Sequence, residues 1–308
     1  MKKSYNSFLN KLGALSILLI IVVLSACDGV DKIENQNIKN EASQELSQQP
    51  ELITETKNIP PSPPSAETKI WLPILVYHRI DIAEEWRDSV YKSLTIAPEW
   101  LDKQLAYLKE NGFETIGYSD VVSYFENGTP LPPRPVMIDF DDGYKDNYFN
   151  ALPLLKKYNY KATFFITHNL TGHKVYMTKE QVAELVAAGM YIGNHTLWHP
   201  NLVKSSDEKL RAEIGDAKKK LEETYGVKIE AFAYPFGKYD ERVIRIVKET
   251  GHKIARSFSA GKGPVIGKEN FFNVPVVSIW GNLPMSTWDK DLFPKKDKSA
   301  TYVPYVAQ

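Results

Sequence analysis

The chain has 308 residues, enough for one large domain or two small ones, and its 38 lysines and arginines are balanced by 38 aspartates and glutamates. A net charge of zero gives no support for nucleic-acid binding, so we expect no nucleic-acid partner. Cys27 is the only cysteine, which excludes an internal disulfide.

The N-terminal residues have the layout of a targeting segment. Three lysines precede an apolar run, residues 12–24, that is too short to span a bilayer comfortably and is typical of a secretory signal. The run ends in Leu24-Ser25-Ala26-Cys27, which resembles the bacterial lipobox and implies lipidation at Cys27. We therefore expect residues 1–26 to be a lipoprotein signal peptide. The protein would be exported, and either lipid-anchored to the outer face of the bacterial cytoplasmic membrane or secreted. The alternatives are a plain signal peptide and an uncleaved anchor with an incidental cysteine.

Residues 27–69 are expected to form a disordered tether. They are rich in Gln, Asn, Glu and Ser, and they include a proline-rich stretch at residues 59–64. Such a composition cannot bury enough apolar surface to fold alone, although the prolines stiffen its end. The tether would give a globular domain, residues 70–308, reach across a cell wall.

The rest of the chain alternates between apolar runs and amphipathic segments. A continuous apolar strand is predicted over residues 71–78, and it ends in His78. Helices are predicted over residues 98–110, 150–158, 179–188, 206–225 and 240–250, and strands over residues 162–166, 191–193, 231–234 and 253–255. This alternation predicts an α/β fold with a parallel sheet, arranged as an open or closed barrel. Residues 284–308 look irregular, and we assign them no function.

Another apolar strand, which begins at Val136, ends abruptly in acidic residues and a glycine. Carboxylates at the edge of a buried sheet are costly unless something compensates their charge, and a divalent cation is the usual partner. Residues two apart in a strand share a face, so Asp139 and Asp141 are expected to point the same way while Asp142 turns off that face.

Two histidines follow the strand predicted at residues 191–193. His195 and His199 are four residues apart, and one turn of helix between them would place both rings on one side. Two neutral nitrogen donors and one carboxylate, with positions left open for water, form a recurring hydrolytic zinc arrangement. The sequence therefore predicts a metal site built from these histidines and the acidic motif.

Three motifs carry a resemblance to a known family. The sequences DFDDG at 139–143, HTLWH at 195–199 and FAYPFG at 232–237 look like the first three motifs of the NodB-homology polysaccharide deacetylases, carbohydrate esterase family four, in the same order. The resemblance implies a distorted (β/α) barrel with about seven parallel strands. It also implies a metal-dependent hydrolase that removes N-acetyl groups from an N-acetylglucosamine-containing polysaccharide of the cell envelope or extracellular matrix. We expect the enzyme to be monomeric.

The resemblance also implies roles for individual residues. Asp142, His195 and His199 would hold the metal, with Zn²⁺ the first choice and Co²⁺ or Ni²⁺ acceptable to the same ligands. Asp141 would be the general base. His78 would be the catalytic acid, because a Tyr-His pair placed before the acidic motif resembles a circularly rearranged subgroup similar to poly-N-acetylglucosamine deacetylases.

Further roles concern the substrate. By the same resemblance, the backbone N–H near Phe236 would help to hold the oxyanion of the reaction. The rings of Trp198, Tyr234 and Phe236 would lie beside the catalytic groups, where they either stack on sugar rings or simply pack.

The chain departs from the family pattern at two positions. Asp139 stands where the family usually has an uncharged residue, and it is either a partner of a histidine ligand or a solvated strand residue. Ala233 replaces an arginine that orients the base in many members, which leaves Arg256 as the candidate for steadying Asp141. Two other functions remain open, an O-acetyl polysaccharide esterase of the same fold and a non-catalytic carbohydrate-binding relative.

Overall fold

The computed structural model describes residues 62–258, 264–282, 284–287 and 289–293. The predicted signal peptide, Cys27 and the tether up to residue 61 lie outside the described residues, as does most of the irregular segment predicted at 284–308. Within the described part of the chain, no helix is both long enough and apolar enough to cross a bilayer.

Twelve strands are present in the described residues. In chain order β1 to β12 they are Lys69–Trp71, Ile74–Tyr77, Arg79–Ile80, Thr95–Ile96, Glu114–Thr115, Pro135–Phe140, Thr163–Ile166, Tyr191–Asn194, Ala231–Ala233, Ile254–Arg256, Val265–Gly267 and Val277–Ser278. Seven of them form one parallel sheet in the order β10-β9-β8-β7-β6-β2-β12, and β5 adds an eighth strand beside β6. This sheet confirms the predicted α/β fold, a distorted (β/α) barrel with about seven parallel strands.

Helices connect and cover these strands. They are Ser89–Leu94, Pro98–Glu110, Tyr118–Asn127, Leu152–Tyr158, Lys179–Ala187, Asp207–Arg211, Ala217–Tyr225 and Glu241–Glu249. In the helix Pro98–Glu110, proline occupies the first turn, where its missing N–H costs nothing. Leu101, Leu105 and Leu108 lie on one face of this helix and are fully buried. The sheet is therefore covered by apolar helix faces that the sequence pattern already shows.

The strand predicted over residues 71–78 is divided. β1 leaves the main sheet and pairs antiparallel with β11, whereas β2 is an inner strand between β6 and β12. Pro73 lies at the break and has no N–H to offer a sheet ladder. Lys69 already belongs to β1, so the folded domain begins at least one residue before the predicted boundary.

The helix predicted over residues 206–225 contains a change of helical type. A five-residue π-helical turn, Ala212–Asp216, separates the helices Asp207–Arg211 and Ala217–Tyr225. A second π turn, Asn147–Ala151, precedes the helix Leu152–Tyr158. Such turns inside helices often lie at functional sites, and the first of them contacts the site described next.

Candidate metal and catalytic site

Parallel strands deliver the predicted site residues to one edge of the sheet. His78 follows β2, Asp141 and Asp142 follow β6, and His195 follows β8, so all of them lie at carboxyl ends of neighbouring or nearly neighbouring strands. Arg256 is the last residue of β10 at the same edge. This edge is where barrels of this kind carry their reacting groups.

Asp142, His195 and His199 meet in space. Oδ1 of Asp142 lies 3.3 Å from Nε2 of His195 and 3.3 Å from Nε2 of His199, and the three potential ligand atoms are all within 4.8 Å of one another. Ligands bound at about 2.0–2.2 Å to a tetrahedral zinc ion are about 3.4 Å apart. The spacing of these three atoms therefore fits a single divalent cation.

The orientation of His195 also fits a metal ligand. Its Nδ1 lies 2.8 Å from the carbonyl oxygen of Ala233, which can only accept a hydrogen bond. Nδ1 therefore carries a proton, and Nε2 is the nitrogen that faces Asp142 and would bind a cation. A backbone carbonyl that fixes the tautomer in this way is a common support for metal-binding imidazoles.

In the metal-free site, electrostatics favours a charged Asp142 and a neutral His199. Burial acts to lower the pKa of His195, but its hydrogen bond to Asp142 and the charges of Asp141 and Asp142 outweigh burial and raise that pKa, so a cation would displace the proton on Nε2. Burial acts to raise the pKa of Asp142, but the hydrogen bond from His195 and the nearby histidine charges outweigh it and lower that pKa. Burial, together with the charge of His195, lowers the pKa of His199 to about 4. At neutral pH the carboxylate is charged and the His199 ring is neutral, as metal binding demands.

The two histidines are not joined by the predicted turn of helix. Residues 195–199 form a loop, and Thr196 and His199 adopt left-handed φ values of 72° and 56°. Asp142 is also left-handed, with φ 69°. Such a conformation costs a residue other than glycine about 1–2 kcal/mol, so it persists only where neighbouring contacts impose it. The rings converge because the loop reverses direction, and the helical explanation was wrong.

Oxygen atoms of buried side chains accept hydrogen bonds from the backbone of this loop and stabilise it. The N–H of Thr196 donates to Oδ1 of Asn194 at 2.9 Å, and the N–H of His199 donates to Oγ1 of Thr196 at 2.8 Å. Oε2 of Glu213 accepts from the N–H groups of Leu197 at 3.1 Å and Trp198 at 2.9 Å. Glu213 belongs to the π turn and is buried, which is uncommon for an acidic side chain. Its contacts with the loop could not be predicted from the local sequence.

Arg256 contacts the predicted base. Its Nη2 donates to Oδ1 of Asp141, and its Nε donates to Oδ2 of Asp139 at 2.8 Å. The hydroxyl of Tyr118 donates to the same Oδ2 of Asp139 at 2.6 Å. Asp139 is fully buried and contacts no histidine ligand, so both interpretations offered for it were wrong; it tethers Arg256.

The charge of Arg256 also acts on Asp141. Burial alone would raise the pKa of Asp141, but the guanidinium and the neighbouring histidines lower it overall. Asp141 is therefore an ionised carboxylate at neutral pH. Nε2 of His78 lies 3.9 Å from Oδ2 of Asp141, so the predicted acid and base face each other.

The aromatic residues divide into two groups. The ring of Phe236 packs on His199 with centroids 4.6 Å apart, and the side chains of Phe236 and Trp198 are about half exposed beside the site. Tyr234 is buried, and its hydroxyl donates to the carbonyl of Phe272 at 2.9 Å. Because Tyr234 is buried, the structure favours the packing alternative for its ring, and its contact with substrate stays a prediction.

The parallel barrel-like sheet, with an Asp-His-His cluster and a buried carboxylate at its edge, is the arrangement that the resemblance to polysaccharide deacetylases implies. Residues 128–255 match the family described as "Polysaccharide deacetylase". The chain therefore carries a domain of the polysaccharide deacetylase family, as its three motifs predicted.

Individual relatives agree with this assignment. The chain is 28% identical over 253 residues to YxkH of Bacillus subtilis (strain 168), a protein named for this family, with coverage of 80% of this chain and 87% of the relative. It is 25% identical over 227 residues to the poly-beta-1,6-N-acetyl-D-glucosamine N-deacetylase of Staphylococcus aureus (strain MRSA252), covering 67% and 77%. The solved structure of the Streptococcus pyogenes deacetylase PplD in complex with acetate superposes with a TM-score of 0.67 at 27% identity, covering 74% of this chain and 100% of that one.

Proposed function

We propose that the domain hydrolyses N-acetyl groups of an N-acetylglucosamine-containing polysaccharide, with a divalent cation held by Asp142, His195 and His199. The observation that carries the proposal is the convergence of three ligand atoms within 4.8 Å, next to a buried, ionised Asp141. The substrate class is supported by the similarity to the Staphylococcus aureus N-deacetylase.

The cation would be Zn²⁺ first, with Co²⁺ or Ni²⁺ as alternatives, and when bound it would acidify water and polarise the acetyl carbonyl. Asp141 accepts the proton of the attacking water, and Arg256 holds its carboxylate in place and charged. His78 donates a proton to the departing sugar nitrogen, a role suited to an imidazole near neutral pH. The products are acetate and a free amino sugar.

The surroundings of this site supply the remaining functions. The backbone N–H near Phe236 is the donor that we assign to the developing oxyanion. The exposed rings of Trp198 and Phe236 border the cluster, where they are available to stack on sugar rings.

We also propose that the enzyme is exported and works at the cell envelope, through a lipid on Cys27 or as a secreted protein. The support is the apolar run at residues 12–24 and the Leu24-Ser25-Ala26-Cys27 sequence. A Cys27→Ser variant expressed in a bacterial host should leave the membrane fraction. An unchanged distribution would contradict lipid anchoring.

An acetate-release assay tests the proposed activity. The purified protein is incubated with peptidoglycan, β-1,6-linked poly-N-acetylglucosamine, chitin oligomers and an O-acetylated xylan, before and after chelation and after addition of each metal. We expect release from at least one N-acetylated polymer, loss on chelation and recovery with zinc. Release from the xylan alone would identify an O-acetyl esterase, and no release from any polymer would indicate a non-catalytic relative.

A further inference from the structure

Besides His195, a second histidine is buried near the candidate metal site. His252 follows the helix Glu241–Glu249, is 3% exposed and contacts no predicted ligand or catalytic residue among the contacts described. Its Nε2 lies 3.1 Å from Nδ2 of Asn194, and its Nδ1 lies 3.0 Å from Oγ1 of Thr250. Asn194 directly precedes the ligand His195, so His252 touches the base of the ligand loop.

The amide of Asn194 has only one orientation that satisfies its neighbours. Its Oδ1 accepts from the backbone N–H of Thr196, and its Nδ2 donates to the backbone carbonyl of Ile214 at 2.8 Å. Both of those partners are fixed as donor and acceptor by their chemistry. The second hydrogen on Nδ2 therefore points at Nε2 of His252, which must present a lone pair.

The other side of the ring completes the network. The hydroxyl of Thr250 donates to the carbonyl of Val247 at 2.9 Å, so its oxygen is left to accept from Nδ1–H of His252. His252 is thus neutral and protonated on Nδ1. Burial, with a contribution from the charge of Lys218 on the neighbouring helix, lowers the pKa of His252 to about 3. The neutral form therefore persists throughout the physiological range.

This network contacts the turn that joins His195 and His199. Thr196 is a β-branched residue whose backbone is in the left-handed region. Its N–H donates to Asn194, and its Oγ1 accepts from the N–H of His199. We propose that His252 is a positioning residue that acts through Asn194 to fix the strained turn between His195 and His199, so that both rings are pre-arranged for the cation. This inference rests on the metal site of the proposed function.

A pair of variants separates the hydrogen bond from the packing of the ring. His252→Phe keeps an aromatic ring but removes the acceptor for Asn194. His252→Gln keeps a carbonyl oxygen near the position of Nε2. His173→Phe, at an exposed histidine, is the matched control. The Zn²⁺ dissociation constant is measured by chelator competition, the absorption spectrum of bound Co²⁺ reports ligand geometry, and thermal unfolding of the metal-free proteins reports folding.

We expect His252→Phe to weaken Zn²⁺ binding about tenfold or more, the effect typical of a lost support to a metal ligand, and to alter the Co²⁺ spectrum. His252→Gln and His173→Phe should stay close to the wild type. A His252→Phe protein with wild-type affinity and spectrum would overturn the proposal.

A measurement on the unaltered protein covers the case in which His252→Phe does not fold. Long-range ¹H–¹⁵N correlation NMR should show the ring of His252 protonated on Nδ1 at neutral pH, and a ring protonated on Nε2 would also overturn the proposal. Absence of Zn²⁺ binding by the wild type would instead count against the metal site, and the NMR result would remain a separate test of the Asn194 contact.

Discussion

Arg256 and Asp139 form an ion pair at 2.8 Å in which both side chains are sealed from solvent. The same guanidinium contacts Asp141. These contacts relate the two departures from the family pattern, Ala233 and Asp139, to each other. Ala233 leaves the base without the usual arginine, Arg256 supplies one from the next strand, and Asp139 tethers it there. A buried aspartate that would be costly alone is compensated by a charge that the site needs.

Replacing Arg256 by glutamine should destabilise the fold, because Asp139 and Asp141 would remain buried without their cation. We expect a loss of about 3–5 kcal/mol in the free energy of unfolding, measured by urea denaturation. Adding Asp139→Asn should recover part of the loss, because burial already raises the pKa of Asp139 to about 7 and, without Arg256, this carboxyl has to take up a proton to remain buried. Arg211→Gln, which disrupts an exposed ion pair with Glu249, is the control and should change the free energy by about 1 kcal/mol or less. Equal losses in the free energy of unfolding for Arg256→Gln and Arg211→Gln would contradict the role of Arg256 as the buried partner of the two aspartates.

Asp141→Asn should remove the base without removing the metal site. We expect acetate release to fall by about 100-fold or more, the usual contribution of a general base, while Zn²⁺ affinity stays close to that of the wild type. Initial rates and chelator competition measure the two quantities. Undiminished acetate release would exclude Asp141 as the base.

Glu213 should matter to the ligand loop although it touches no ligand. Glu213→Ala removes the acceptor of the Trp198 N–H, whereas the N–H of Leu197 keeps the backbone carbonyl of residue 213 at 3.1 Å. We expect the variant to cost about 1–3 kcal/mol in the free energy of unfolding of the metal-free protein. Glu213→Gln keeps an acceptor oxygen and should lose less. Glu223→Ala, on an exposed position of the following helix, should stay within about 0.5 kcal/mol of the wild type. A Glu213→Ala protein as stable as the Glu223→Ala control would disprove the support role.

The two aromatic groups should respond differently to substitution. Trp198→Ala should leave stability unchanged because the side chain is 55% exposed, and it should raise KM about tenfold if the ring stacks on the polymer. Tyr234→Phe removes only the buried hydrogen bond to Phe272, so it should cost about 1 kcal/mol of stability and leave the steady-state constants unchanged. An increase in KM for Tyr234→Phe would identify it as a substrate residue.

The stability of the metal-free protein should depend on the protonation of His252. Its pKa in the folded protein, about 3, lies below the ordinary value of 6.5, so stability is full above pH 6.5 and is lost as the pH falls below it. From pH 7.5 to pH 5.5, protonation of His252 alone should lower the free energy of unfolding by about 1.4 kcal/mol. In urea denaturation with a chelator present, the wild type should therefore lose about 1.4 kcal/mol more than His252→Gln over this range, because the other histidines titrate in both proteins. The same pH dependence in both proteins would refute it.

Much of the architecture could be predicted from the sequence. The parallel sheet follows from apolar runs that alternate with amphipathic helices, and the cluster of three candidate ligands follows from short motifs at strand ends. The path of residues 195–199 could not be predicted, because left-handed Thr196 and His199 are imposed by distant side chains and leave no local pattern. The break in the first strand, by contrast, could have been predicted, because Pro73 has no N–H to donate to a sheet ladder.

The hydrogen-bond partners of Asp139 and Glu213 could not be predicted from the sequence either. Arg256 is 117 residues from Asp139 in the chain, and only the order of the sheet brings them together. Glu213 and His252 are polar residue types, and residue type alone favours a solvated position for them.

The metal content of the purified protein tests the central claim most directly. After dialysis against Zn²⁺ and removal of the excess, elemental analysis should find about one zinc per wild-type chain, in keeping with three converging ligands and open positions for water. The His199→Ala variant should retain far less than one. A wild-type protein that retains no zinc, or a His199→Ala variant that retains the full amount, would contradict the assignment of Asp142, His195 and His199 as the metal site.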